Sequence, residues 1–311
     1  LNSLTAQVVS RALKSDSKSE PAQRIAPFIH HRPLLFSIAY RMLGSVADAE
    51  DMLQETFIRW QQSSETEITS PRAFLVTILT RLCLTHLDSA RTRREQYCGQ
   101  WLPEPLISEA YDPISEQIEK PESLSMAFLV LLERLLPLER AGFLLREVFD
   151  YDYAEVASIL KQTESNCRQL LRRARQHLAG QRPRFDASRE ERERLLREFM
   201  QATAGGDLHR LETLLSEDAI LYSDGGGKGP ALPVQILGRQ KVARALLGAS
   251  RKLVPRNLAT ELKLVNGELG AVSYLGGRPY SAFTMDLDAG RIQHIYIISN
   301  PDKLSHIRFL S

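Results

Sequence analysis

Downstream of Thr163 the chain reads Glu164-Ser-Asn-Cys-Arg-Gln-Leu-Leu-Arg-Arg-Ala-Arg. Cys167, Leu170, Ala174 and Leu178 recur at intervals of three and four. As a helix, this segment buries that stripe and leaves Ser165, Asn166, Arg168, Gln169, Arg172, Arg173 and Arg175 outside. Thr163 can cap it, and the segment Tyr153 to Leu160 before it gives helix-turn-helix proportions. The chemistry on offer is nucleic-acid recognition. Ser165, Asn166, Arg168 and Gln169 suit base edges, where arginine matches guanine and asparagine or glutamine matches adenine. Arg172, Arg173 and Arg175 suit phosphates, which supply salt-dependent affinity and register. Taken alone the motif also fits a solvated basic helix in a bundle.

Two further charged surfaces lie upstream. A helix after Gly44-Ser45 carries Ala49, Met52, Leu53, Thr56, Phe57 and Trp60 on one side and Asp48, Glu50, Asp51, Gln54 and Glu55 on the other. A third helix, opened by Pro71, buries Phe74, Leu75, Ile78, Leu79 and Leu82 and ends in Arg91, Arg93 and Arg94. Enzyme chemistry is less legible. Tyr222, Asp224, Tyr274, Asp286, His294 and Tyr296 could supply a base and an oxyanion donor, but no spacing selects a pair. Asp224-Gly-Gly-Gly-Lys228-Gly lacks the spacing of a phosphate loop, and the histidines show no metal-ligand pattern. No cofactor or metal is expected.

These surfaces need elements to hold them. Residues 25–95 and 122–180 show helical spacing, with Pro27, Pro33, Gly44 and Pro71 as breakers in the first stretch. Residues 1–24 read as a disordered tail, 96–121 as a proline-stiffened linker containing Trp101-Leu-Pro-Glu-Pro, and 181–188 as a second linker. From 189 to 311 the pattern is two helices, Glu190 to Ala204 and Leu208 to Leu215, and then strands. The strands are Ala219 to Tyr222, Ala259 to Val265, Leu269 to Tyr274, Ser281 to Leu287 and Ile292 to Ile298, an α+β layer order.

The 311 residues, 43% hydrophobic and 25% charged with a net charge of +2, allow several cores, and the distribution of charge says more than its total. Cys83, Cys98 and Cys167 form no spaced pair and no apolar stretch reaches membrane-span length, so a cytoplasmic protein without a membrane contact is expected.

Ile38-Ala-Tyr-Arg-Met-Leu-Gly-Ser, Asp48-Ala-Glu-Asp-Met-Leu-Gln-Glu-Thr-Phe, Trp101-Leu-Pro-Glu-Pro, Pro137-Leu-Glu-Arg, Leu144-Leu-Arg-Glu-Val-Phe, Asp224-Gly-Gly-Gly-Lys and Asn300-Pro-Asp-Lys-Leu together resemble the extracytoplasmic-function (ECF) sigma factors, in particular the subgroup with a C-terminal SnoaL-like domain. The resemblance implies two all-α sigma domains, region 2 and a helix-turn-helix region 4, followed by an α+β cone of the SnoaL and ketosteroid-isomerase type. It also implies core RNA polymerase and promoter DNA as partners, and a cone interior able to hold a small ligand. By the same resemblance Asp48, Asp51, Gln54 and Glu55 dock on polymerase. The region 4 helix reads the −35 element, and Arg81, Arg91, Arg93 and Arg94 contact DNA near the −10 element. Regulation in cis falls to Trp101, Leu102 and Pro103, to Asp224, Gly225, Gly226, Gly227 and Lys228, and to Asn300, Pro301, Asp302 and Lys303. The third helix departs from the family: Thr85 and Asp88 stand where an acidic and then a basic residue are usual, and a carboxylate facing DNA repels phosphate.

Three functions stay open at this point: a non-enzymatic initiation factor, a plain helix-turn-helix regulator, and an enzyme with a DNA-binding appendage. Only the first gives the Asp48 to Trp60 helix a partner. The Trp101 to Pro105 segment is expected to pack against the C-terminal domain.

Overall fold

The computed structural model describes residues 20–63, 68, 70–95, 97–109, 124–179 and 188–308, without the side chains of 20–24, 90–95 and 109. The expected tail 1–24 therefore falls outside it up to residue 19, as do residues 96 and 110–121 of the first linker and 181–187 of the second. Helix α1 spans Glu20–Leu43, α2 Val46–Gln62 and α3 Pro71–Glu95. Pro27 and Pro33 do not break α1 as the sequence suggested. The helix buries Leu35, Ile38, Ala39, Met42 and Leu43, and this packing outweighs the backbone hydrogen bonds that proline forfeits. Ser45 caps α2 by accepting the Asp48 N–H at 3.1 Å.

After the linker come α4 (Met126–Leu132), α5 (Pro137–Phe143) running into a π-helical turn (Leu144–Val148), α6 (Tyr153–Leu160) and α7 (Glu164–His177). Asp152 and Glu155 form a reciprocal cap at the start of α6, and Lys161, left-handed at φ 53°, turns the chain toward Thr163, whose side chain accepts the Asn166 N–H. These seven helices share one apolar core. Leu35, Leu53, Leu79 and Cys83 from the first stretch pack with Leu132, Phe143, Val156, Leu160 and Cys167 from the second.

The C-terminal part is α8 (Arg189–Gly205), α9 (Leu208–Leu214), β2 (Leu215–Asp224), β3 (Ile236–Leu237), α10 (Arg239–Lys252), β4 (Ala259–Val265), β5 (Glu268–Leu275), β6 (Arg278–Asp288), β7 (Arg291–Ile298) and α11 (Pro301–Leu304). Its strands form one sheet in the order β1-β4-β5-β6-β7-β2-β3, antiparallel except for β2 beside β7. Strand β1 is Ile107–Glu109, a piece of the linker that extends the sheet through Ile107 opposite Val265. Helix α10 and strands β1 and β3 go beyond the sequence reading.

Alternation gives the sheet two faces. One packs Leu221, Met285, Leu287, Ile292 and Ile295 against Leu195, Leu196, Phe199 and Leu211 of α8 and α9 and Val242 and Leu246 of α10. The other packs Val272, Tyr274, Ala282, Tyr296 and Ile298 against Leu102 of the linker, Met126 and Ala127 of α4, and Leu304 after β7. Helix α4 of the second helical stretch and the linker are thus held on one side of the sheet and the domain's own helices on the other.

Candidate nucleic-acid interface and interdomain junction

On α7 the inward stripe is as expected, with Cys167, Leu170, Ala174 and Leu178 buried and Leu171 added to them. Ser165, Asn166, Arg168, Gln169, Arg172, Arg173 and Arg175 are all exposed. Several are lightly held in place. Arg168 pairs with Glu164 at 2.9 Å and lies 4.7 Å from the centre of the Tyr153 ring, Asn166 donates to Gln162 at 2.5 Å, and Arg175 reaches Glu147 at 2.6 Å. Exposed pairs of this kind contribute about 0.3–0.5 kcal/mol each, so a phosphate or a base edge can displace them. Arg172 and Arg173 have no carboxylate partner among the described residues. The face is a cationic surface on a capped, well-packed helix.

On α2 the four candidate docking residues divide. Asp51 and Gln54 are exposed, Glu55 binds Arg59 of the same helix at 2.7 Å, and Asp48 turns toward α3, where its Oδ2 lies 3.4 Å from His86 Nε2. Glu50 is taken by a two-oxygen contact with Arg32 at 2.7 Å. One turn past Gln54, on the same stripe, Ile58 stands 40% exposed. The sequence reading assigned it to neither side, although its spacing from Gln54 already puts it on the polar one.

On α3 the structure corrects one expectation. Arg81 does not face outward for DNA. Its Nε donates to the Ile159 carbonyl and its Nη2 to the Ser158 carbonyl, both at 3.0 Å, fastening α3 to the last turn of α6. Arg72 lies 5.1 Å from the Tyr151 ring centre at the same seam. Arg140, nearly buried, donates to the Met42 carbonyl at 2.6 Å and to Glu133 at 2.8 Å. Arg41 sits 5.5 Å from the Phe149 ring centre, and burial pushes its pKa down to about 10. Arginines therefore sew the two helical modules together. Asp88 is exposed, Thr85 donates to the Arg81 carbonyl at 3.0 Å, and the side chains of Arg91, Arg93 and Arg94 lie outside the described residues.

The three remaining motifs converge. Asp224, fully buried at the end of β2, accepts from Tyr97 Oη at 2.6 Å, the Leu102 N–H at 2.8 Å, the Gly226 N–H at 3.0 Å and Lys303 Nζ at 2.8 Å. Lys303 also donates to the Leu102 carbonyl and stands 4.1 Å from the Trp101 ring centre and 5.0 Å from that of Tyr97. Asn300 caps α11 and donates to Tyr97 Oη at 2.8 Å, and burial beside Asp224 raises the Tyr97 pKa and keeps the phenol protonated. Gly226, at φ 58°, packs directly under Asn300, so no other side chain fits there. Lys228 and Asp302 form an outer ion pair at 2.5 Å, both exposed, while Gly225 and Pro103 are buried.

A second connection runs from the linker to region 2. Glu104 reaches the N-terminus of α2, accepting from Ser45 Oγ at 2.9 Å and from the Val46 N–H at 2.6 Å, and so satisfies donors that a helix start leaves unpaired. Tyr40 Oη donates to the Glu104 carbonyl at 2.6 Å and accepts from Asn266 Nδ2 at 2.5 Å. Asn266 also exchanges hydrogen bonds with Leu106. The Trp101 ring lies against Gly44. Tyr97 and Asn266 were missed from sequence, while Tyr40 and Glu104 stood inside quoted motifs without a role of their own. Glu104→Ala is expected to lower stability by about 1–2 kcal/mol, the usual range for a lost cap. In a thermal melt this is a fall of a few degrees, about 2–4 °C per kcal/mol, and an unchanged midpoint would show that the contact carries no weight.

The residues considered for catalysis do not meet in the domain interior. Tyr222, Asp224, Tyr274, Asp286 and Tyr296 lie on the face covered by the linker and α4, and His294 lies in register with them opposite Asp286. Asp286 accepts from Tyr296 Oη at 3.0 Å and approaches His294 Nδ1 at 3.2 Å, with Tyr222 stacked on Tyr296 at 5.1 Å. Toward α8, α9 and α10 the sheet is lined by apolar side chains, Phe283 against Phe199 among them, and the expectation of a small ligand there finds no support. Among the described residues no group of three His, Cys, Asp or Glu is placed to hold a metal, and no helix is long and apolar enough to cross a membrane.

A fold of two helical modules, one bearing a capped cationic recognition helix, joined to an α+β domain by a linker that touches all three, defines a class. The sigma-70 region 2 family model matches residues 28–93 and the sigma-70 region 4 model residues 125–178. The chain belongs to the ECF RNA polymerase sigma factors. Over 294 residues it is 38% identical to the ECF RNA polymerase sigma factor SigJ of Mycobacterium tuberculosis (strain ATCC 25618 / H37Rv), covering 90% of this chain and 93% of that one. It is 29% identical over 280 residues to the probable ECF RNA polymerase sigma factor SigI of the same strain, with 89% and 93% covered. The crystal structure of Mycobacterium tuberculosis SigJ aligns with a TM-score of 0.73 at 34% identity, covering 90% of this chain and 98% of the other.

Proposed function

We propose that this sigma factor directs core polymerase in the cytoplasm to promoters through α7 and α3, without catalysis of its own, and that its C-terminal domain regulates it in cis. Ser165, Asn166, Arg168 and Gln169 read −35 base edges, and Arg172, Arg173 and Arg175 hold phosphates. Arg91, Arg93 and Arg94 at the end of α3 contact DNA near the −10 element. Asp48, Asp51, Gln54 and Glu55, extended by Ile58, dock on polymerase, where a carboxylate-rich stripe suits a basic partner. Trp101, Leu102, Pro103, Asp224 to Lys228 and Asn300 to Lys303 form the regulatory contact.

The observation that carries the DNA reading is that seven polar or cationic residues of α7 are exposed together on a helix whose opposite side is core. Arg172→Ala is expected to weaken holoenzyme binding to all sequences alike and reduce the salt slope by about 0.9, one phosphate contact. Arg168→Ala is expected to relax sequence preference at one position, by about 1–3 kcal/mol of discrimination. A binding titration against promoter and scrambled duplexes measures both, and an unchanged slope together with unchanged preference would mean that α7 does not read DNA this way.

A further inference from the structure

Between Asp224 and Glu261 the chain has no acidic residue, while Lys228, Arg239, Lys241, Arg244, Arg251, Lys252 and Arg256 fall there. Helix α10 occupies the middle of this stretch. It buries Val242, Ala243, Leu246 and Leu247 against the sheet and turns Lys241, Arg244, Arg251 and Lys252 to solvent. Positions 241, 244, 248 and 252 follow helical spacing along one stripe, and Gly248 at its centre has open space where a side chain would stand. Arg239 is different, because its Nε is held by the Leu215 carbonyl at 3.1 Å. Lys241, Arg244 and Lys252 have no ion-pair partner among the described residues. Of the exposed acids near this helix, Glu217 and Asp218 sit by its first turn, with Asp218 bonded to Gln293, and Asp207 follows Gly206, which lies beside Arg251 at the far end and off the 241, 244 and 252 stripe. Like charges in line on a helix repel one another, so the stripe is stabilised when something anionic covers it.

We propose that this face of α10 binds the phosphate backbone of duplex DNA, outside the two promoter elements that regions 2 and 4 read. The proposal rests on promoter DNA being the protein's partner. The stripe presents ammonium and guanidinium groups with small residues between them, so it suits phosphates and carries no means of reading bases. The helix itself carries no aromatic side chain on which an unpaired base could stack, and the one beside its end, Tyr280, has its hydroxyl bonded to the Leu253 carbonyl at 2.8 Å, which favours a duplex over a single strand. From Lys241 to Lys252 it runs about 16 Å at 1.5 Å per residue, a length of duplex bearing about nine phosphate charges. A lipid surface is a poorer match. A helix lying in a membrane interface needs its apolar face free, and that of α10 is committed to the domain core; the exposed apolar residues beside it, Val234 and Leu237 before its start and Leu253 and Val254 after its end, lie off the helix and do not form an apolar face along it. Helix α10 packs on the sheet face opposite the one that meets region 4, so this contact is separate from the recognition helix.

The test is a salt titration of binding to a promoter duplex that extends two turns beyond the −35 element. It compares holoenzymes carrying the wild-type chain and the triple variant Lys241→Ala, Arg244→Ala, Lys252→Ala. The slope of log K against log salt should become shallower by about 2.7, at 0.9 per lost contact, and by the same amount on a scrambled duplex. The three side chains are exposed, so the thermal midpoint should stay put and show that folding is not the cause. An unchanged slope overturns the proposal, and so does an unchanged slope accompanied by lost binding to phosphatidylserine vesicles, which would assign the face to lipid. Promoter preference of the wild type in the same titration reports on α7 alone. Its absence with the slope difference intact would sink the −35 reading and leave this one standing.

Discussion

Asp224→Ala is expected to free the C-terminal domain from the linker, at a cost of about 3–5 kcal/mol to the closed arrangement, the range for removing one partner of a buried ion pair. The carboxylate is wholly buried and accepts four hydrogen bonds, from Tyr97, Leu102, Gly226 and Lys303. Without it the Lys303 ammonium, 6% exposed, keeps the Leu102 carbonyl and the two aromatic rings but loses the buried carboxylate 2.8 Å away. An ammonium in that position either deprotonates or leaves, and leaving takes α11 and the linker apart. Adding Lys303→Met to Asp224→Ala removes the stranded charge and should recover a good part of the loss, a non-additivity expected when two residues act as a unit. Limited proteolysis within residues 97–106 should speed up strongly in Asp224→Ala and only modestly in the double variant. Run-off transcription should shift in the same direction in Asp224→Ala, in Trp101→Ala and in a chain ending near Arg182. Unaltered transcription in all three would remove the regulatory reading of the junction.

How much of this was legible in the sequence depends on whether the cause of a feature is local. The α7 face was readable because a cap at Thr163 and apolar residues three and four apart fix a helix and its two sides without outside help. The same logic placed the starts of α2 and α3 and both ends of strand β4 to the residue, and the start of α8 to within one. It failed at Pro27 and Pro33, because only the burial of the far side of α1 decides that the helix continues through them. Strand β1 exists only as an added edge beside β4, and nothing in Ile107-Ser-Glu by itself asks for a strand. Helix α10 had the spacing of a helix in Val242, Ala243, Leu246 and Leu247, but it stood among strand signals and was passed over.

Among site residues the motifs named the right ends of the junction without its chemistry. Asp224 and Lys303 are 79 positions apart and Asp224 and Tyr97 are 127 apart, separations that periodicity cannot bridge. Arg81 shows the opposite failure. An arginine on a basic helix near DNA-binding residues reads as a phosphate contact, and only the fold reveals two carbonyl oxygens within its reach.

Arg81 accordingly makes a prediction whose sign separates the two uses of that side chain. Region 2 and region 4 share one apolar core here, yet the 25 base pairs from position −35 to position −10 span about 85 Å at 3.4 Å per pair. Helix α3, 25 residues long, reaches about 37 Å at 1.5 Å per residue, so modules that touch cannot serve both elements at once. The modules must part when the holoenzyme engages a promoter, and each contact across the seam between α3 and α6 biases the equilibrium toward the closed form. Two partly exposed hydrogen bonds from a guanidinium to carbonyls contribute about 1 kcal/mol net. Arg81→Ala should therefore raise apparent affinity for core polymerase about fivefold, read by fluorescence anisotropy of labelled chain, and lengthen the mean separation of dyes on α3 and α7 in the free protein. Were Arg81 a DNA contact instead, the same variant would leave polymerase affinity and dye separation untouched and lower the salt slope of promoter binding by about 0.9. Arg81→Lys distinguishes further: a lysine supplies charge to a phosphate but cannot span the Ser158 and Ile159 carbonyls with one rigid fork, so it should behave like alanine at the seam and like arginine on DNA.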